Sequence, residues 1–244
     1  MNMKSIAASA VAFLAVGGLL AGCNSKDDVA PAATQAAAPT SAAPADNGVA
    51  ALTADQILAK SKAALTSAKS FRVKGSTDAD GQKMQLDLEI NGTDVLGKIA
   101  VGKAVIELLA AGGKHYIRPN QAFWTTMGGA SAADAKNIAN LMGKRWVVVS
   151  AKNKDLNSFF DIVNIDEMLK PQGTASKGTA KQIGEYKTIG LKDSEGGTLY
   201  VATVGEPYPI QEHDSDGDIN FTEFGKTFTD LKAPAAADVV DLNL

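Results

Sequence analysis

The segment His213–Phe224, HDSDGDINFTEF, gathers one histidine, three aspartates and a glutamate within twelve residues. Alternating carboxylates are the hard oxygen ligands that calcium takes. An EF-hand loop places ligands at positions 1, 3, 5, 7, 9 and 12, with a glycine at 6 and a bidentate glutamate at 12. Counted from Asp214, Asp216 and Asp218 fall at positions 3 and 5. Position 6 is then Ile219, whose branched side chain resists the positive φ of the sharp turn. Position 12 is Gly225, and Glu223 arrives two residues early. The preceding YPIQEH is strand-like. The segment therefore reads as a β-hairpin, IQEHD and DINFTEF, around an Asp216-Gly217 type I′ turn signal. No metal site is expected.

Other reactive types are sparse. His115 lies in the strand-like KHYIR and His213 at the hairpin; no G-x-S-x-G accompanies either, so no hydrolase triad is assembled. GEPYP and GGASA match neither a P-loop nor a dinucleotide fingerprint. Asp166 and Glu167 fall on a helix and read as a solvated face. A formal net charge of −3 and a pI near 5.4 give no electrostatic footprint for nucleic acid. No catalytic residue and no cofactor is expected, and the chain does not read as an enzyme.

The one cysteine, Cys23, excludes an intrachain disulfide and the usual zinc clusters. Its setting suggests a different chemistry. Lys4 precedes an apolar run, Ile6 to Leu20, shorter and less hydrophobic than a membrane span. Leu20-Ala21-Gly22-Cys23 then matches the bacterial lipobox, in which the thiol accepts a diacylglyceryl group and becomes the new N-terminus. Residues 1–22 are expected to be a lipoprotein signal peptide. Lipidated Cys23 would hold the protein on the cell membrane, facing outward from the cytoplasm. Residues 23–50, rich in Ala, Pro, Ser and Thr, cannot bury enough surface to offset ordering and read as a disordered tether.

From residue 51 onward the periodicity of the chain changes. Thr53 and Gln56 form a capping-box pattern before a helix over 54–69, with Ile57, Ser61, Ala64, Leu65 and Ala68 on one face. Phe71 and Val73, then Met84, Leu86, Leu88 and Ile90, alternate with polar residues as half-buried strands. Asn91-Gly92 signals a hairpin. Further strands are expected near 95–101, 103–110 and 114–118, joined too closely for parallel crossovers. A helix over 132–142 and one or two over 155–170, ended by Pro171, fill the middle. Strands return at 176–183, 186–192, 197–204, 208–213 and 218–224. This order points to one α+β domain over 51–244.

The succession SFRVKG, GKIAVGKAVIELLAAGGKHYIR, FW, GKRWVVV, KGTAKQIGEYKTIGLKDSEGGTLYVAT, PYPIQ and FTEFGK, behind a lipobox, resembles the actinobacterial LppX/LprG family of cell-envelope lipoproteins, whose fold is similar to LolA and LolB. The resemblance implies a strongly curved antiparallel sheet, an unclosed half-barrel, with helices on its concave side around an apolar cavity. It implies a carrier that holds the acyl chains of a lipid or glycolipid for transfer across the envelope. A membrane transporter is a further candidate partner.

On that reading the cavity would be lined by Phe71, Leu86, Leu88, Ile106, Leu108, Tyr116, Trp124, Ile138, Leu141, Trp146, Phe159 and Phe160. Leu86, Leu88, Ile106 and Leu108 would form its floor, and Ile138, Leu141 and Phe160 its roof. Its volume is expected to exceed the ~300–1,000 Å³ of small-molecule sites. The alternative is an envelope interaction or sensor lipoprotein in which the same residues fill an ordinary core.

Overall fold

Thr53 opens the first helix with a reciprocal pair of bonds. Its Oγ1 accepts from Gln56 N at 3.4 Å, and Gln56 Oε1 accepts from Thr53 N at 3.1 Å. α1 (Ala54–Ala68) then buries Ile57, Ser61, Ala64 and Leu65, the face its spacing predicts. The computed structural model describes residues 45–79 and 81–242. The signal segment, Cys23 and tether residues up to 44 lie outside the described residues. Residues 46–50, expected in the tether, pack on the domain. Asp46 bridges Val204, Asn47 N donates to Thr203 O at 2.9 Å, and Val49 is buried.

Five strands follow as an antiparallel meander: β1 (Ser70–Ala79), β2 (Gln82–Asn91), β3 (Asp94–Val101), β4 (Ala104–Ala111) and β5 (Lys114–Pro119). The β2–β3 turn differs from the Asn-Gly expectation. Asn91 pairs with Asp94, so Gly92 and Thr93 are the central residues. Only Gly92 has positive φ, the requirement of a type II′ turn.

The middle holds α2 (Gln121–Thr126), α3 (Ala132–Met142), β6 (Trp146–Val148), α4 (Lys154–Asn157), a 3₁₀ turn over Ser158–Val163 and α5 (Ile165–Met168). Of the one or two helices expected over 155–170, the structure has two short ones around the 3₁₀ turn, because Asn164 starts a new one. Its Oδ1 accepts from Asp166 N and Glu167 N. The chain then forms β7 (Ser176–Ile183), β8 (Tyr186–Lys192), β9 (Thr198–Ala202), β10 (Pro209–His213), β11 (Asp218–Thr222) and β12 (Val239–Val240).

All twelve strands join one curved, unclosed sheet in the order β12-β6-β5-β4-β3-β2-β1-β11-β10-β9-β8-β7. The pairs are antiparallel except β12–β6. This is the expected α+β architecture. One face carries the main core. Phe71, Val73, Leu86, Leu88, Ile90, Val95, Ile106, Leu108 and Ile117 from the strands meet Leu65, Phe123, Trp124, Met142 and Phe160 from the helical segments. Two glycines permit close strand approach on this face. A Cβ at Gly97 would collide with the Asp87 carbonyl, and one at Gly75 with that of Asp218.

The opposite face carries a row of alternating charge. Register places Lys74, Asp87, Lys98, Glu107 and Arg118 side by side across β1–β5. Arg72 Nε and Nη2 each lie 2.7 Å from Asp87 Oδ1, and Lys74 Nζ lies 3.2 Å from Oδ2. Burial pushes the Asp87 carboxyl up, but the hydrogen bonds from Arg72 and Lys74 outweigh it and hold the group below its ordinary value.

Candidate functional site

The core face is not uniformly filled. Where β1–β2 and β3–β4 turn, an apolar groove of about 320 Å³ lies between the sheet and α2. Met84, Ile99, Val101, Ala104 and Ile106 form the sheet side; Phe123, Met127 and Phe159 form the helical side. Alternation along each strand turns Met84, Ile99, Val101, Ala104 and Ile106 to one face. Asn120 positions the helical side, because its Oδ1 accepts from Phe123 N at 2.9 Å and starts α2. Met127 is 50 % exposed at the groove, an unusual exposure for a large apolar side chain beside an apolar site. A second hollow of about 540 Å³ shares Phe123, Met127 and Phe159 and adds Trp124, Asn153, Asp155 and Leu156.

The expected lining residues divide into three sets. Ile106 and Phe159 line the groove, and Trp124 and Phe159 line the hollow. Phe71, Leu86, Leu88, Leu108 and Phe160 are buried in the main core, with Ile138 packed against it. Tyr116, Trp146 and Leu141 are corrections. Tyr116 and Trp146 join Leu109 and Ala111 in a separate cluster. Tyr116 pairs with Leu109 while its neighbour Ile117 pairs with core residue Leu108, so Tyr116 faces away from the helices. Leu141 is 61 % exposed and lines neither space. The volume expected above the small-molecule range is likewise corrected, since the groove lies near the lower bound of that range.

Sequence reasoning left Ile99, Val101, Phe123 and Met127 out of the site. The alternation DVLGKIAV could have placed Ile99 and Val101 on the Val95 face, and Asn120 as an N-cap could have placed Phe123 on a helix.

The two histidines are held by their neighbours. His115 Nδ1 lies 2.7 Å from Asn157 Oδ1, and its ring stacks on Phe160. His213 Nδ1 lies 2.7 Å from Asp218 Oδ1, while Ser215 Oγ donates to Asp216 Oδ1 rather than to the imidazole.

The acidic segment is the expected hairpin. Gln211, Glu212 and His213 pair with Asn220, Ile219 and Asp218. Its turn is not type I′, because neither Asp216 nor Gly217 has positive φ. Asp214 Oδ1 instead accepts from Asp216 N and Gly217 N, both at 2.8 Å. Glycine is needed at 217 because a Cβ would collide with the Ser76 carbonyl. Among the described residues no cluster of three or more His, Cys, Asp or Glu side chains could hold a metal ion.

A small pocket elsewhere on the core face has Leu58, Met168, Leu191 and Leu199 around Glu212 and Asp193. Burial, with Asp214 and Asp193 nearby, pushes the Glu212 carboxyl above its ordinary value.

The fold and site define an α+β domain with an open antiparallel sheet and an apolar groove under short helices. No family model matches the chain, and no curated protein matches it. Among solved structures, the chain is similar to an uncharacterized conserved protein from Thermus thermophilus, at 12 % identity and a TM-score of 0.39. The match covers 77 % of this chain and 98 % of that one. Among the described residues no helix is long and apolar enough to cross a membrane.

Proposed function

We propose that this protein is a lipid-anchored carrier of the cell envelope that takes an acyl chain of a lipid or glycolipid into the groove beneath α2. The observation that carries the reading is the groove itself, walled by Met84, Ile99, Val101, Ile106, Phe123 and Phe159 and marked by half-exposed Met127. An apolar space of this kind gains nothing from water and accepts apolar guests. Each CH₂ moved out of water contributes about 0.8 kcal/mol, so a groove alone can drive binding without chemistry. The proposal assigns no catalytic step and no cofactor.

Room for more of a chain comes from the cover. α2 has six residues and α4 and α5 four each, far below the length at which a helix is stable alone. Side-chain packing on the sheet holds them, and several of those side chains, Leu156, Phe159, Ile162, Val163 and Met168, are only partly buried. Parting this cover extends the groove over Leu86 and Leu108.

The anchor fits the same reading. Asp46 and Asn47 attach at the Thr203–Gly205 end of the sheet. Strand register puts that end opposite the Gln82 and Val101 end, where the groove lies. A membrane transporter is the partner class that would supply or receive the cargo.

One observation favours the second reading, an envelope interaction module without cargo. Leu88 and Leu108 at the centre of the expected cavity are fully buried within the main core. Native mass spectrometry of the protein purified from its own membrane separates the two. Retained mass of a lipid supports the carrier; a bare chain under conditions that preserve lipid complexes supports the module.

A further inference from the structure

Trp124 presents a polar atom with no structural explanation. The residue is 7 % exposed and belongs to the main core, yet among the described residues its indole Nε1 is buried without a hydrogen-bond partner. A buried N–H left unpaired is costly, and each instance calls for a reason. Phenylalanine would fill nearly the same space without that cost. Trp124 also lines the hollow that adjoins the groove through Phe123 and Phe159. The ring is held in place: it meets Phe123 edge-on at 88°, with centroids 5.5 Å apart, and a Cβ at Gly128 would press against it.

We infer that the Trp124 indole N–H is the donor for an oxygen acceptor on the bound molecule. The ligand class is then a chain with a carbonyl at its head, an acyl ester or fatty acid, rather than a plain hydrocarbon. This rests on the acyl-chain reading of the groove and adds the chemistry by which one apolar guest is told from another. Walls of Met84, Ile99 and Phe159 bind any alkyl chain. The Trp124 side chain lines the adjoining hollow, and its indole N–H, buried and unpaired among the described residues, favours the molecule that brings an acceptor to it.

The test uses the chain from Ala45 onward, which contains the whole sheet and core, and two fluorescent probes of equal length. One is a pyrene-tagged hexadecanoic methyl ester and the other the matching pyrene-tagged alkane. The ester is expected to bind about fivefold more tightly, the effect of one net hydrogen bond. Trp124→Phe should remove that advantage, so that ester and alkane bind the variant equally. If the variant does not fold, the parent protein still answers. In ¹⁵N-labelled protein the indole proton of Trp124 should move downfield with the ester and not with the alkane, while that of Trp146 stays in place. Equal binding of both probes to the parent, or a still indole resonance, overturns the inference and leaves the acyl-chain reading intact. Binding of neither probe contradicts the acyl-chain reading, and the inference falls with it.

Discussion

His115 on β5 lies flat against Phe160 of the 3₁₀ turn, with ring centroids 4.0 Å apart and planes 11° from parallel. Its Nδ1 is also within 2.7 Å of Asn157 Oδ1. One sheet residue thus holds the cover over the core by both stacking and hydrogen bonding. His115→Ala is expected to lower stability by about 1–3 kcal/mol, combining a stacked pair with a hydrogen bond. Hydrogen exchange should show the loss as faster exchange over residues 154–163, with the amides of β2 and β3 little changed.

The packed centre and the groove should respond differently to added bulk. Leu108 has no exposed surface, so Leu108→Trp overpacks the core at a cost of about 1–3 kcal/mol. Met84 is partly buried and borders empty space. Met84→Trp should leave a denaturant midpoint nearly unchanged while removing binding of an acyl probe. Equal destabilisation by both would mean that the groove cannot admit a side chain, still less a lipid.

Two carboxylates give pH dependences of opposite sign. Glu212 is raised in the folded protein, so the native state holds its proton more tightly than the unfolded chain does. Stability from this group is present below the unfolded pKa and is lost as pH rises through the folded one. Glu212→Gln should therefore raise Tm at neutral pH and change it little in acid.

Asp87 is lowered, so its contribution is present above the unfolded pKa and is lost as pH falls through the folded one. Asp87→Asn should reduce Tm at neutral pH and flatten its acid limb. Melting curves of both variants across pH check the two signs together.

Much of this architecture was legible because local signals agreed with one another. The Thr53–Gln56 capping box, the alternation through Met84–Ile90 and the glycine at 92 each name an element or its end. The choice of face was harder. In AVIELLAA and KHYIR apolar residues fall on both sides of the strand, because Leu109, Tyr116 and Trp146 form their own cluster with Val239 of β12. β12 has two residues and follows an Ala- and Pro-rich stretch, so nothing local announces it. Without it, Tyr116 reads as one more core residue. Leu141 misled for a different reason. It falls on an apolar helical pattern near the end of α3, where Met142, not Leu141, turns into the core. The groove was the least legible feature, since it depends on how far six-residue α2 stands from the β2–β4 turns.

The central claim is that an acyl chain occupies the space between those turns and α2. Photolabelling tests it most directly. The chain from Ala45 onward is loaded with a fatty acid carrying a diazirine near its methyl end, irradiated and mapped by peptide mass spectrometry. Labels are expected on residues 82–84, 99–106, 123–127 and 156–160, competed away by unlabelled fatty acid. Absence of competable labelling, or labelling confined to the opposite face around Tyr116 and Trp146, would contradict the account.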